Sequence, residues 1–510
     1  MTDRPNILCI YVDQLRYDAL GCTGNPVIRT PNIDRLALEG MRFDQAYVST
    51  PLCTPFRGSF LTGKYAHAAG VHANHFPIPT DQKFLPHHLA EAGYHTGYIG
   101  KWHLYGGPKP GFVPPGPDRC GFETFVGFNR GHEYDRSIYF YDDPTPHHCP
   151  RHEPDFQTDQ VIDFMGRAQT ARDRPFFAYI CLGPPHHPMR VPEHWKTLYR
   201  PEEVPLPKGV PDPDLQRKVQ AEIVAQDFGG DPTNADSSHI DYRRVPAGDP
   251  ETEAEIRQYV AEYYGMIANV DWNIGRILDW LDAKDLAKDT FVLFFSDHGD
   301  MLGQHGYYCG NKRVAYRGAM HVPVIARWPG RIAARSRSDS MVDLSVDAMP
   351  TLLDLAGAPP ANDVMGESLA PILFGDNAAG HQAVFYQLML QTGGLEGDVH
   401  PRALRGCRSK DWLYVRDRYG ARMLFDLKAD PNEDNNLVNR REYAGIQLGL
   451  DTWVLDRMTE TGDDWDKEHA FPPPDFVTHK NAAKEHGRLL ANAIVEIAPR
   501  SRHQGSADAM

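Results

Sequence analysis

Cys53, Pro55 and Arg57 fall in the run 51-PLCTPFRGSFLTG-63. Thr54 and Pro55 are helix-start residues and Gly63 a helix stop, so the run predicts a short helix with Cys53 at its head. A helix N-terminus favours anions and lowers a thiol pKa. Arg57, one turn along, is placed to steady whatever charge Cys53 carries. Two readings compete here, an inert core thiol and a reactive group at an anion site. A thiolate phosphatase loop is set aside. That loop wraps phosphate in backbone N–H groups over a longer span, whereas only Thr54, Pro55 and Phe56 separate Cys53 from Arg57, and none is glycine.

Further groups of the right type lie elsewhere. Asp13-Gln14 follows one apolar run, and Ser296-Asp297-His298-Gly299-Asp300 follows another. Asp13, Asp297 and His298 offer carboxylate oxygens and one imidazole, a donor set suited to Ca²⁺, Mg²⁺ or Mn²⁺. A single strand-end Asp is more often a cap or a surface charge; two such ends together shift the balance towards a metal. Lys101 and His103 sit in 97-GYIGKWHLYG-106, His186 in 183-GPPHHPMR-190 and Lys312 in 310-GNKRVAYRG-318. Taken singly, each reads as a solvated charge or a polar turn. Together they form a set of acids, lysines and histidines that strand ends bring to one rim.

The elements that must do this are legible as short apolar runs. Residues 6–12 (NILCIYV), 175–182 (PFFAYICL), 290–295 (TFVLFF) and 322–328 (VPVIARW) read as buried parallel strands. Thr30, Pro31 and Gly40 bound a helix. Ile256, Tyr259, Val260, Tyr263, Ile267, Val270, Ile274, Ile277, Leu278 and Leu281 step by threes and fours along one face of a long helix feeding the 290–295 strand. Alternating strands and helices predict an α/β fold with a large, mostly parallel sheet flanked by helices, and ligands bind at the carboxyl ends of such strands. We expect a catalytic domain over 1–380 with an insertion at 201–252. A smaller C-terminal α+β subdomain with an antiparallel sheet is expected over 381–470, including a hairpin in 412–427. The polar tail, 471–510, reads as an arm or a homo-oligomer contact.

Composition narrows the classes. Hydrophobic residues at 41% and charged residues at 24% fit a globular chain. A net charge of -15 argues against a nucleic-acid footprint but leaves room for a local anion site. No apolar run is long enough for a membrane helix. Eight cysteines without paired spacing predict free thiols rather than a disulfide framework. With no signal-peptide pattern at the start, the expectation is a cytoplasmic protein.

The C-T-P-F-R run and its G-S-F-L-T-G tail resemble the modification signature of the formylglycine-dependent sulfatases of the alkaline phosphatase superfamily. The resemblance extends through PNIL-x5-D at 5–13, TPNIDRLA at 30–37, GYIGKWHL at 97–104, SDHGDMLG at 296–303, VDAMPTLLDLAG at 346–357, GESLAPIL at 366–373 and LFDLKADPNEDNNL at 424–437. It lies near the arylsulfatase and phosphonate monoester hydrolase branch and implies an alkaline-phosphatase-like fold.

The resemblance implies hydrolysis of small sulfate monoesters. By the same resemblance, Cys53 is expected to be oxidised to formylglycine by a formylglycine-generating enzyme, and the following roles are those that the resemblance implies. The hydrated gem-diol attacks sulfur and leaves a covalent sulfated hemiacetal, from which the second hydroxyl expels sulfate. Asp13, Asp297, His298 and residue 53 hold one divalent ion, Ca²⁺ or Mn²⁺ ahead of Mg²⁺. Arg57 and Lys101 orient the diol, His103 is the base, and His186 and Lys312 bind the sulfuryl oxygens, one of them assisting the leaving group. Asn74 and Gln14 are substrate contacts, with Gln14 standing where most relatives carry a second Asp ligand. Gln14 and His298 also occur in phosphonate monoester and phosphodiester hydrolases, the alternative activity. The intact Gly100-Lys101-Trp102-His103 pattern favours the sulfatase. A non-catalytic metal and anion binder has no need of Cys53, Arg57, Lys101 and His103 together.

Overall fold

The computed structural model describes residues 4–465 except 75, 107–108, 172–173, 210–249, 308, 377 and 390–402. Most of the expected insertion at 201–252 and the whole tail at 471–510 lie outside the described residues. The main sheet is built from β1 (Asn6–Val12), β2 (Met41–Tyr47), β3 (His95–Lys101), β4 (Thr124–Phe128), β7 (Phe176–Leu182), β8 (Thr290–Ser296), β9 (Val324–Arg327) and β10 (Ser336–Asp343). A two-stranded hairpin, β5 (Ile138–Tyr139) and β6 (His147–His148), lies between β4 and β7 in the chain. The strand order is β10-β2-β9-β8-β1-β7-β3-β4. Every pairing is parallel except the two made by β9, which runs antiparallel to β2 and β8. The expectation of a parallel strand at 322–328 is corrected by this. The run is short and apolar, and periodicity does not carry direction.

Period-2 alternation along β1 separates two cores. Ile7, Cys9 and Tyr11 pack in one cluster with Phe291 and Phe295 of β8 and with Phe56 and Phe60 of helix α1 (Cys53–Thr62). Leu8, Ile10 and Val12 point to the other face. There they meet the helix Pro250–Ala283 through Ile267, Val270, Ile274, Ile277 and Leu281, the stripe expected from the sequence. Helices on both faces account for strands that read as continuous apolar runs.

A second sheet follows: β11 (Ala383–Leu388), β12 (Leu404–Ser409), β13 (Trp412–Asp417) and β14 (Gly420–Asp426), all antiparallel. The hairpin expected in 412–427 is β13–β14. This sheet is tied to the rest of the chain by the Gln387 N–H to the Ser49 carbonyl (2.8 Å) and by the buried Arg408 guanidinium, which donates to the Ala315 carbonyl at 3.2 Å. All eight cysteines are free thiols, as their spacing predicts.

Candidate active site

Register decides where the acids stand. Val12 of β1 pairs with Ser296 of β8 and with Leu182 of β7, so the residues that follow, Asp13 and Asp297, leave the sheet side by side at its carboxyl edge. Asp13, Cys53, Asp297 and His298 each offer one ligand atom, all within 4.8 Å of one another and all buried.

Cys53 is the first residue of α1, at the head of the helix as the run predicts, and Gly63 ends the helix at φ 67°. Asn74 stabilises this start: its Oδ1 accepts the Thr54 N–H at 3.1 Å. The carbonyl end of a side chain expected at the substrate is therefore used to place Cys53. The Cys53 Sγ lies 3.2 Å from His298 Nε2 and 3.7 Å from Asp13 Oδ1. Burial and the Asp13 carboxylate push the thiol up to about 11, the reverse of what a helix N-terminus alone predicts. As a thiol this group is protonated at neutral pH and is a poor nucleophile.

Arg57 does not act on the thiol directly. Its guanidinium donates to Asp13 Oδ2 (3.2 Å), to the Tyr98 hydroxyl (3.2 Å) and to the Lys101 carbonyl, and it lies 4.4 Å over the Tyr11 ring. Lys101 Nζ donates to the same Asp13 oxygen at 2.7 Å. Burial by itself raises the Asp13 pKa. Lys101 and Arg57 reverse that and hold it well below the usual carboxylate range. Lys101 ends β3 behind Gly100, whose φ is 116° and where a Cβ would meet the Cys181 carbonyl of β7 at 2.3 Å. Only glycine lets β3 lie this close, which gives the Gly-Lys pair a physical reason. His103 is buried just beyond, at φ 60°. Its backbone N–H bonds to the Asn129 carbonyl.

His186 follows β7. Its Nδ1 lies 2.6 Å from the His187 carbonyl and its Nε2 2.8 Å from Lys312 Nζ. Lys312 also donates to Gln14 Oε1 (2.6 Å), and Gln14 Nε2 donates to Asp300 Oδ2 (2.6 Å). Gln14, at φ 65°, is thus a bridge between a buried lysine and a buried aspartate. Asp300 also accepts the Leu302 and Gly310 N–H groups at 3.0 and 2.9 Å, which closes the loop carrying Lys312.

The donor set fits a divalent cation. His298 Nδ1 lies 2.9 Å from the Gly299 carbonyl and so carries the proton, which leaves the Nε2 lone pair facing inward. Burial and Lys312 keep the ring neutral. Nε2 is nonetheless 3.2 Å from Asp297 Oδ2 and 3.8 Å from Asp13 Oδ1. Acceptor facing acceptor at this range calls for a cation between them. Asp297 is raised by burial and by Asp13, the like-charge effect that a metal relieves. Its oxygens accept from the Tyr11 hydroxyl (2.6 Å) and the Gln14 N–H (3.0 Å), which fixes its orientation.

Sequence reasoning missed Asp300, Tyr11 and His132. The His132 Nε2 lies 3.0 Å from Lys101 Nζ, and its ring stacks on His186. His132 follows β4, a run, 124-TFVGF-128, not read as a strand; that reading would have marked it as a strand-end histidine.

The chain matches two family models: the one described as Sulfatase over residues 5–358, and N-sulphoglucosamine sulphohydrolase, C-terminal, over 303–460. It is 30% identical to an N-acetylglucosamine-6-O-sulfatase of Bacteroides thetaiotaomicron over 88% of this chain and 85% of that one. A solved sulfatase in complex with its substrate D-glucosamine-2-N,6-O-disulfate superposes with a TM-score of 0.75 at 26% identity, covering 90% of this chain and 99% of that one. The phosphonate monoester hydrolase of Agrobacterium radiobacter superposes with a TM-score of 0.71, also at 26% identity, over 90% of this chain and 96% of that one. With the Sulfatase match spanning most of its length, the chain belongs to the sulfatase family and is a sulfuric ester hydrolase.

Proposed function

We propose that the protein hydrolyses sulfate monoesters with residue 53 as the nucleophile, after oxidation of Cys53 to formylglycine and hydration to a diol. The observation that carries this reading is the position of Cys53. It is buried among Asp13, Asp297 and His298, with its thiol raised to about 11 by burial and Asp13. A cysteine there is useless as a thiolate, whereas an oxygen at the same place joins a set of hard ligands.

Asp13, Asp297 and His298 would hold a divalent ion, Ca²⁺ or Mn²⁺, which would supply Lewis-acid polarisation of the reacting oxygens. One hydroxyl of residue 53 gives its proton to solvent, and Lys101, fixed on Asp13, orients the resulting oxyanion for attack on sulfur. The bond from sulfur to the alcohol oxygen breaks, and the alcohol leaves with a proton supplied from the His186–Lys312 pair. Lys312, steadied by His186 and Gln14, also holds the sulfuryl oxygens. His103 then takes the proton of the second hydroxyl, sulfate departs from residue 53, and water adds to restore the diol.

The names of the relatives point to sulfated amino sugars as the first natural substrates to try. The phosphonate monoester reading is favoured by Gln14 and His298, and the intact Lys101 and His103 favour sulfate. The test joins mass and rate. The tryptic peptide covering residue 53 should carry the aldehyde mass in protein made with the maturation enzyme. That protein should turn over an aryl sulfate and glucosamine 6-O-sulfate. Unmodified cysteine in an active preparation would refute the mechanism. A far larger kcat/KM for an aryl phosphonate monoester would reverse the order of the two substrates.

A further inference from the structure

His132 belongs to none of the roles above. Its ring lies flat on that of His186, with centroids 3.8 Å apart and 1° between the planes. The hydrogen bonds around the pair fix both tautomers. Tyr134 has one hydroxyl proton, and it goes to the His186 carbonyl (2.7 Å). The Tyr134 oxygen therefore accepts from His132 Nδ1, 2.9 Å away. His132 is left with a lone pair on Nε2, and that lone pair faces Lys101 Nζ at 3.0 Å. His186 repeats the pattern: Nδ1 donates to the His187 carbonyl, and Nε2 accepts from Lys312.

Two parallel imidazoles thus present lone pairs to the two ammonium groups whose charge acts on residue 53. Each ammonium is held at two points, Lys101 by Asp13 and His132, Lys312 by Gln14 and His186. Two fixed N–H directions determine the third. Stacked rings at this separation also disfavour protonation of either one, and burial acts on both in the same sense.

We propose that His132 is a positioning residue: together with Asp13 it fixes the Lys101 ammonium so that the remaining N–H is aimed at the oxygen borne by residue 53. This rests on the reading of residue 53 given above. The geometry separates His132 from a mere packing residue, because stacking on His186 needs only a flat ring, whereas holding Lys101 needs an acceptor at Nε2.

The test is a double-mutant cycle in fully matured enzyme, with the aldehyde at residue 53 confirmed by mass in every variant. Loss of a hydrogen bond to a charged group predicts that His132→Leu lowers kcat about 10- to 100-fold. KM on an aryl sulfate should stay within about 3-fold, because the ammonium remains and only its aim is lost. His132→Gln, which keeps an acceptor, should recover most of the rate. Lys101→Ala combined with His132→Leu should be no slower than Lys101→Ala alone. Losses that multiply, or a Gln variant no better than Leu, would overturn the proposal. Should the Leu variant fail to fold, Tyr134→Phe takes its place. It releases the tautomer while keeping the ring stack, and its loss should likewise vanish in the Lys101→Ala background. A wild type that carries the aldehyde but turns over neither sulfate nor phosphonate ester sinks both readings. Wild-type turnover with independent losses sinks only the role of His132.

Discussion

Gln14 stands where a second acidic ligand is usual in the family that this chain resembles, and its geometry makes a prediction that separates two roles. Its carbonyl accepts from Lys312 and its amide donates to Asp300, each at 2.6 Å. Gln14→Met keeps the length and the unbranched stem but removes both bonds. A hydrogen bond to a charged group contributes about 1.5–3 kcal/mol. The bond to Lys312 bears on the sulfuryl site, so its loss should appear as a fall in kcat/KM of about 10- to 150-fold. The bond to Asp300 should appear as a comparable loss of stability in the loop that carries Lys312. Metal affinity should change less than about 3-fold, because neither end of the side chain is available to a cation. The assay is kcat/KM on an aryl sulfate at saturating metal, paired with a chelator competition for the metal Kd. A metal affinity at least about 10-fold weaker, with full rate restored by excess metal, would show that Gln14 is a ligand and refute the bridging role.

Gly100→Ala should unfold or inactivate the protein, because a methyl group would overlap the Cys181 carbonyl at 2.3 Å and φ 116° is strained for alanine. A urea midpoint unchanged from wild type would refute that. Chelation should abolish turnover and lower the unfolding temperature. Readdition of Ca²⁺ or Mn²⁺ at 100 times its Kd should restore about 2.7 kcal/mol, and an unfolding temperature indifferent to both ions would count against the Asp13–Asp297–His298 site. His381 Nε2 lies 2.9 and 2.8 Å from the two oxygens of the buried Asp347. Burial lowers its pKa, but the bond to Asp347 and its charge raise it to about 9. A raised folded-state pKa stabilises fully below the unfolded value near 6.5 and is lost as pH climbs through about 9, so the contribution, on the order of 3 kcal/mol, fades over that window. Urea titrations at pH 6 and pH 10 should show His381→Asn destabilised at the first and near wild type at the second. An equal deficit at both would mean that the histidine only packs.

The fold was legible where a periodicity was long or a strand wholly apolar. The stripe from Ile256 to Leu281 and the runs of β1, β7 and β8 are buried on both sides of the sheet, and burial writes itself into residue type. Strands that mix charged residues with apolar ones were not legible. Those of β2 (MRFDQAY) and β10 (SRSDSMVD) lie at or near the sheet edge and carry Arg and Asp. The direction of β9 was likewise hidden, because four residues of period 2 read the same from either end.

Charge explains how the rest of the site fits together. Gln14, neutral where a second Asp is usual, removes negative charge next to the metal position, which taken alone weakens the hold on a cation. The structure restores one carboxylate a layer further out, Asp300, bonded through Gln14. Asp13, Asp297 and Asp300 then face Lys101, Arg57 and Lys312, three acids against three bases, buried and linked by short contacts. Such a cluster is neutral when all six are ionised, and that is the condition under which buried charges are tolerated. A divalent ion brings the cluster to two positive charges. A monoanionic ester and a singly deprotonated diol cancel them, whereas a dianionic phosphate monoester overshoots. Under the proposed reaction that balance would suit monoanions as a class, sulfate monoesters and phosphonate monoesters alike. What discriminates between those two must lie in the aim of Lys101 and Lys312 at individual oxygens. A count of charges does not show that aim; under the proposal above, the tautomers of His132 and His186 would set it.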